Sequence, residues 1–86
     1  MALQILTQVN PIYPPKARAE KISGIVVLHT IIGKDGTIKS VDVISGPEEF
    51  REAAVDAVRQ WTYRPYLLNG NPTEVDTNVT VNFQVF

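Results

Sequence analysis

The segment Ser23–Ile32, with the sequence SGIVVLHTII, constrains the fold more than any other part of this chain. It is rich in β-branched residues, which favour strands. Alternate residues of a strand point to opposite faces, and one face consists of Val26, Leu28, Thr30 and Ile32. The other face is apolar too, at Ile25, Val27 and Ile31. Apolar residues on both faces predict that both are covered, as in a central strand or one that meets another chain.

A turn and a second strand follow this segment. Gly33–Gly36 (GKDG) has the composition of a tight turn, and Thr37–Ser45 (TIKSVDVIS) predicts the return strand of a β-hairpin. Ile38 is out of phase with Val41 in the alternation of this strand. Because one extra residue restores the phase, the sequence predicts a β-bulge near Lys39–Ser40.

The next element is an amphipathic helix. Ser45 is the expected cap, Pro47 suits the first turn, and the glutamates that follow complement the positive end of a helix. The apolar residues recur at helical spacing and are Phe50, Ala53, Ala54, Ala57, Val58 and Trp61. We expect the helix to end near Trp61, because the chain runs into Pro65 shortly afterwards.

Prolines keep the N-terminal part of the chain extended. Leu3–Val9 is weakly strand-like, and Asn10–Pro15 (NPIYPP) is extended because each proline fixes its own φ and keeps the residue before it out of the α region. A short helix over Pro15–Lys21 is predicted next, with the proline in its first turn.

The C-terminal segment predicts a long strand with one wet face. Its inward residues are Val75, Thr77, Val79, Val81, Phe83 and Val85, and they alternate with Asp76, Asn78, Thr80, Asn82 and Gln84. Thr77–Phe86 contains no charge and no proline, although natural edge strands usually carry lysine, proline or a bulge to prevent stray pairing. Two interpretations follow: a partner pairs with this strand, or Leu3–Val9 of the same chain covers it.

These elements have one economical arrangement. The last strand lies antiparallel to the first strand of the hairpin, which is in the middle of the sheet, and parallel to the second. The predicted fold class is therefore α+β: a three-stranded antiparallel or mixed sheet of split β-α-β type, in the order 2-1-3, with one long helix packed on one face.

Composition and single residues argue against catalysis and metal binding. The 86-residue chain has a formal net charge of −1, which gives no electrostatic footprint for nucleic acid, and it lacks cysteine. We expect no catalytic site, metal centre or cofactor, and we interpret the single histidine, His29, as structural or surface-exposed. Trp61, Tyr63 and Tyr66 are interpreted as core packing. The acidic residues of the helix are interpreted as a solvated face because arginines interleave them; they are Glu48, Glu49, Glu52 and Asp56.

Several short motifs resemble one known family. They are Tyr13-Pro14, Gly24 at the start of a strand, Asp35-Gly36, Val43–Gly46 (VISG) and Ala54–Pro65 (AVDAVRQWTYRP). Together they resemble the TonB C-terminal domain family, from about Asn10 to Phe86, and the helix that ends in Trp-x-Tyr-x-Pro is the most specific part. This chain departs from the best-known members at Asn10, where they have glutamine, and in a longer connection over Leu67–Pro72.

The resemblance implies a fold, a location and partners. It implies a three-stranded sheet with a packed helix, in a domain that lies in the periplasm and is tethered to the inner membrane. It implies that the domain binds the TonB box, a short peptide of outer-membrane transporters, and transmits force derived from the proton-motive force. It also implies contact with an inner-membrane proton-channel complex of the ExbB/ExbD kind, through an N-terminal anchor outside this sequence.

We assign the partner-binding residues to two segments. The first consists of Asn10, Pro11, Ile12 and Tyr13, and the second of Thr77, Val79, Thr80, Val81, Asn82, Phe83, Gln84 and Val85. The second segment would pair with a peptide by β-augmentation. The first is either a rigid shelf that flanks the peptide, with Tyr13 offering a flat contact and a hydroxyl, or a stiff linker that docks Tyr13 into the core.

Two further expectations concern organisation. Residues 1–9 are predicted to be an N-terminal extension that can supply an extra strand, and residues 10–86 the TonB C-terminal-like domain. The alternative function is a self-associating envelope domain, which forms a homodimer through the same edge and exchanges strands.

Overall fold

The computed structural model describes residues 3–84. Its elements along the chain are β1 (Ile5–Thr7), α1 (Pro15–Ala19), β2 (Gly24–Ile32), β3 (Ile38–Ser45), α2 (Glu48–Arg59), β4 (Thr62–Tyr63), β5 (Tyr66–Leu68), β6 (Asn71–Thr73) and β7 (Val75–Phe83). A main sheet with one long helix on it confirms the α+β class.

The main sheet has the strand order β3-β2-β7. β2 is antiparallel to both neighbours, and its pairing with β7 is unbroken from Gly24↔Phe83 to Ile32↔Val75. Within residues 3–84, β7 pairs only with β2, so no described strand lies along its outer edge.

The pairing of β2 with β3 contains two irregularities. Ile31 pairs with Ser40 and Ile32 with Ile38, which leaves Lys39 as an extra residue and confirms the predicted bulge. A second shift leaves Ile44 unpaired. The sequence does not predict this second bulge, because no apolar residue follows Ile44 in β3 and a change in the alternation cannot be seen there.

The core lies between the main sheet and α2. Its largest fully buried side chains are Phe50, Leu28, Ile32, Val26, Val58 and Thr30. Val79, Val81 and Phe83 of β7 bury the inward face of that strand. Trp61 and Tyr63 are buried as well, which confirms core packing for these two, while Tyr66 is only half-buried in β5.

The second face of β2 differs from the prediction. The central position of β2 is observed, but no described residue covers Ile25, which is 54% exposed, and Val27 and Ile31 are half-buried. Strand pairing on both sides satisfies the backbone of β2 without fully covering its outward side chains, so within residues 3–84 this face is only partly covered and contact with another chain stays a prediction.

The start of α2 also differs. Ser45 is the last residue of β3 and pairs with Val27, and no side chain caps the helix. Pro47 precedes the helix, which begins at Glu48, and Glu48 and Glu49 lie in its first turn as expected. Ser45, which the sequence predicts as the helix cap, is therefore part of the β2–β3 pairing instead.

The N-terminal strand has a different partner from the one considered. β1 pairs with β4 through Ile5↔Tyr63 and Thr7↔Thr62, and Arg64 N–H donates to Gln4 C=O at 2.8 Å. The interpretation in which Leu3–Val9 covers the edge of β7 was therefore wrong. β5 and β6 form a separate hairpin within the long Leu67–Pro72 connection, and its turn is at Asn69–Gly70, both of which have a positive φ.

Candidate functional site

The outer edge of β7 is the first candidate surface. The strand has nine residues, which corresponds to about 30 Å of extended backbone. Successive residues of a strand direct their N–H and C=O groups to opposite sides, so about half of these groups in β7 face away from β2. They form a template that an extended peptide can pair with.

The side chains of β7 give the two faces of the sheet different characters beside that edge. Val79, Val81 and Phe83 are buried under the helical layer, whereas Thr80 and Asn82 are exposed on the opposite face. A peptide strand added here would therefore have an apolar layer on one face and uncharged hydrogen-bonding groups on the other. Thr77, half-buried at the start of this stretch, continues the inward row.

Charge appears only at the beginning of the strand. Asp76 lies 3.7 Å from His29 of β2, measured between Oδ2 and Nε2. From Thr77 to Phe83 the strand has no charged residue and no proline, and its register with β2 is regular. The usual protections of an edge strand are thus missing from this stretch. Of the other predicted residues, Gln84 follows the strand as an exposed residue, and Val85 lies outside the described residues.

Tyr13 docks into the core, as in the second of the two interpretations. Its ring makes edge contacts with Phe50 at 5.5 Å and with Phe83 at 5.8 Å between centroids, and those two rings stack at 4.5 Å. Its hydroxyl donates a hydrogen bond to Ile22 C=O. Tyr13 thus connects the extended segment to the end of β7.

Asn10, Pro11 and Ile12 lie apart from the edge of β7. Trp61 Nε1 donates to Val9 C=O at 2.8 Å, so the segment is held to α2 just before Asn10 and again at Tyr13. Between these anchors Ile12 is 82% exposed. The structure therefore brings Tyr13 and Phe83 together, but it places the other three residues beside α2.

These three residues line a groove that the sequence did not reveal. The groove has a volume of about 560 Å³, and its other wall is the outward side of α2. Its residues from α2 are Glu49, Glu52, Ala53, Asp56, Ala57 and Gln60. Their helical spacing was visible in the sequence, whereas the return of Asn10–Pro15 along the same helix was not.

Within residues 3–84, no three acidic, histidine or cysteine side chains are grouped so that they could hold a metal ion. No helix in the same range is long and apolar enough to cross a membrane.

The family model for the C-terminal region of the Gram-negative bacterial TonB protein matches residues 9–85. The chain belongs to the TonB C-terminal domain family. Among TonB relatives, it is 28% identical to protein TonB of Vibrio cholerae serotype O1 over 83 residues, which cover 94% of this chain. It is 32% identical over 75 residues, or 85% of the chain, to protein TonB of Xanthomonas campestris pv. campestris strain B100. In each case the chain spans 34% of the relative's length.

Solved TonB structures have the same fold. The solution NMR structure of the Pseudomonas aeruginosa TonB C-terminal domain superposes with a TM-score of 0.82 at 24% identity, and covers 96% of this chain and 86% of its own. At that identity the likeness shows the fold alone. The TonB2 protein of Vibrio anguillarum superposes with a TM-score of 0.72 at 28% identity, over 96% of this chain and 81% of its own.

Proposed function

We propose that this domain is the periplasmic peptide-binding domain of a TonB-type energy transducer. In this proposal, β7 pairs with the TonB box of an outer-membrane transporter, and force derived from the proton-motive force passes through that pairing. The observation that carries the proposal is the edge of β7, which is uncharged from Thr77 to Phe83 and has no described strand beside it. Membership of the TonB family supports the identity of the peptide.

Backbone pairing supplies enough free energy for reversible capture. Five or six added peptide residues form roughly five backbone hydrogen bonds, each worth about 0.5–1.5 kcal/mol net. Ordering the peptide offsets part of this gain. Backbone pairing alone therefore corresponds to a dissociation constant on the order of millimolar, and apolar contacts with the inward row of β7 have to supply the rest of a tighter, still reversible, complex.

The proposed contact residues fall into two groups. The β7 group is Thr77, Val79, Thr80, Val81, Asn82, Phe83, Gln84 and Val85, and its role is backbone pairing. The second group is Asn10, Pro11, Ile12 and Tyr13. Tyr13 supports the proposal through its ring contact with Phe83, the last residue of β7, whereas Asn10, Pro11 and Ile12 line the groove beside α2.

The proposal extends to the rest of the transducer. Residues 10–86 form the TonB C-terminal-like domain and residues 1–9 an N-terminal extension, in which β1 supplies the additional strand. The full-length protein is tethered to the inner membrane and draws on a proton-channel complex of the ExbB/ExbD kind. The function is mechanical coupling rather than catalysis.

A pair of proline variants tests the edge. The N–H groups of neighbouring residues in β7 point to opposite sides, so either Thr80→Pro or Val81→Pro removes a donor from the outer edge while the other breaks the ladder with β2. We expect the variant that keeps its thermal stability to lose capture of synthetic TonB-box peptides. Binding is measured by NMR chemical-shift titration of the labelled domain, with His29→Ala as the control that retains binding.

Modified peptides make the test independent of protein folding. TonB-box peptides methylated at alternate backbone nitrogens lose hydrogen-bond donors at one set of positions or the other. One of the two sets is expected to abolish shifts along Thr77–Phe83, because those donors face β7. Full binding by both methylated peptides and by a well-folded proline variant would contradict the proposal.

The same edge supports one alternative, self-association as a homodimer. An uncharged edge without a bulge can pair with its own copy as readily as with a peptide. In this case simple dilution shifts the resonances of β7, TonB-box peptides do not, and the sedimentation coefficient rises with concentration. Peptide-dependent shifts at constant sedimentation would eliminate the alternative.

A further inference from the structure

The groove beside α2 has an apolar floor. Ala57 is 3% exposed, and Ala53 and Val9 are half-buried along the bottom. Pro11 and Pro14, both half-buried, continue this surface along the extended segment. The floor is therefore formed by short or rigid side chains, which leave room for the aliphatic part of a ligand.

The rim of the groove is acidic. Glu49, Glu52 and Asp56 line it, and no lysine or arginine is among the lining residues within residues 3–84. None of the three carboxylates forms an ion pair within that part of the chain. Three carboxylates without an ion pair, beside an apolar surface, favour a ligand that carries positive charge on an aliphatic stem.

Ile12 adds an exposed apolar side chain to the lining of the groove. Its side chain is 82% exposed on the rim, although the segment that carries it is anchored to the core on both sides, at Val9 and Tyr13. The anchors hold the isoleucine in solvent opposite the acidic wall. A bound chain that crossed the groove would cover it and recover hydrophobic free energy.

The length of the groove matches an extended peptide. From Glu49 to Gln60 the helix rises about 16 Å, which equals roughly five residues of extended chain. Alternate side chains of such a peptide are about 7 Å apart, whereas the three carboxylates follow one another along α2 at rises of about 4.5 and 6 Å, a difference that flexible lysine stems can span. Lysine or arginine at alternate positions therefore meets the acidic rim with its stem on the alanines.

We propose that the groove between Val9–Pro15 and α2 docks an extended basic peptide segment of a partner protein. The α2 wall of this groove is separate from the edge of β7, whereas Asn10, Pro11 and Ile12 belong both to the groove and to the segment proposed to flank the TonB box. The contact is electrostatic in large part, so it weakens as salt rises.

A blocked peptide of alternating alanine and lysine tests the groove. Titrated into the labelled domain at low salt, it is expected to shift the amide resonances of residues 9–15 and 49–60 and to leave Thr77–Phe83 unchanged. The same peptide with glutamine in place of lysine is expected to cause no saturable shifts there. Spermine tests whether positive charge alone is sufficient, and we expect its effect to be smaller and diffuse.

Variants distinguish the rim from the floor. Glu52→Gln and Asp56→Asn each remove one carboxylate, and each is expected to weaken binding of the lysine peptide by about two- to fivefold, as for exposed ion pairs. Ile12→Ala is expected to weaken binding of the lysine peptide by at least about fourfold, because the substitution removes three carbon atoms and burial of even one of them corresponds to that factor. Glu48→Gln is the matched control, because Glu48 is an exposed acid of the same helix that does not line the groove.

Three results would overturn the proposal. They are equal shifts with the glutamine peptide, an equal response to spermine, and unchanged binding by the Glu52→Gln/Asp56→Asn double variant. Loss of TonB-box binding in the proline variants of β7 leaves this test unaffected, so the two proposals fail separately.

Discussion

At the scale of single residues, Thr30 stands out because it places a hydroxyl in the core. Its side chain is fully buried in the middle of β2, and its Oγ1 has no hydrogen-bond partner within residues 3–84. The alternation of β2 predicted that Thr30 faces inward. It did not predict the missing partner, because that depends on which atoms of α2 and β7 lie opposite.

Thr30→Val is expected to stabilise the domain. The substitution keeps the shape of the side chain and removes a buried polar group without a partner, so we expect the free energy of unfolding to rise by about 0.5–2 kcal/mol. Urea denaturation followed by tryptophan fluorescence measures the change. Thr80→Val on the exposed face of β7 serves as a control with little effect, and a loss of stability in Thr30→Val would contradict the expectation.

Asp35 introduces a pH dependence in the turn between β2 and β3. Its Oδ1 accepts hydrogen bonds from Thr37 Oγ1 at 2.7 Å and from Thr37 N–H at 3.1 Å. These bonds lower the pKa of the Asp35 carboxyl below its ordinary value. A lowered pKa means that the stabilisation is complete above the unfolded-state pKa and is lost as the pH falls through the folded-state pKa.

Asp35→Asn tests this dependence. We expect the variant to be less stable than the parent at neutral pH, and the difference to shrink when both are unfolded in urea in strongly acidic buffer. A difference that stays constant over that acidic range would contradict the role of the ionised carboxylate.

At the scale of elements, the turn of the β2–β3 hairpin is locked to the end of α2. Tyr63 N–H donates to Gly36 C=O at 2.8 Å, and Thr37 bridges to Thr62. Gly36 has a φ of 86°, and a Cβ on it would lie 1.9 Å from Tyr63 C=O. The Trp-x-Tyr-x-Pro motif therefore packs directly against the Asp35-Gly36 turn.

Gly36→Ala is expected to destabilise the domain strongly. The positive φ costs an L-residue about 1–2 kcal/mol, and the contact with Tyr63 adds to this, so we expect a loss of at least about 2 kcal/mol. Gly70→Ala is the matched control, because Gly70 has a φ of 81° and no atom within 4 Å of the added Cβ. Thermal unfolding of both variants separates the two contributions, and equal losses would show that the contact costs nothing.

Elements with a strong internal period could be predicted from the sequence. β2, α2 and β7 each repeat apolar residues at a fixed spacing, and the bulge at Lys39 followed from a break in that spacing. β1–β4 and the second bulge could not, because a two-residue ladder and a phase change next to Ile44 leave no periodic signal. Their positions depend on contacts between parts of the chain that are distant in sequence.

At the scale of the whole molecule, the candidate edge was predictable but the groove was not. A domain of this size buries only roughly 60% of its unfolded surface, so many of its side chains stay near the surface. The absence of charge over Thr77–Phe83 could be read directly. The groove arises only when Val9–Pro15 folds back along α2, a long-range event fixed by Trp61 and Tyr13.

The weak attachment of β1 has a consequence for how the molecule stretches. β1 is held by two residue pairs with β4 and the bond from Arg64 to Gln4, whereas β7 is held by nine pairs with β2. When the two ends of the domain are drawn apart, we expect β1 to detach first. About seven residues are then free, and their extended length of roughly 20–25 Å can turn toward the pulling direction before the Trp61–Val9 hydrogen bond carries load. The N-terminal strand is thus a flexible extension that we expect to detach under load while the β3-β2-β7 sheet stays intact.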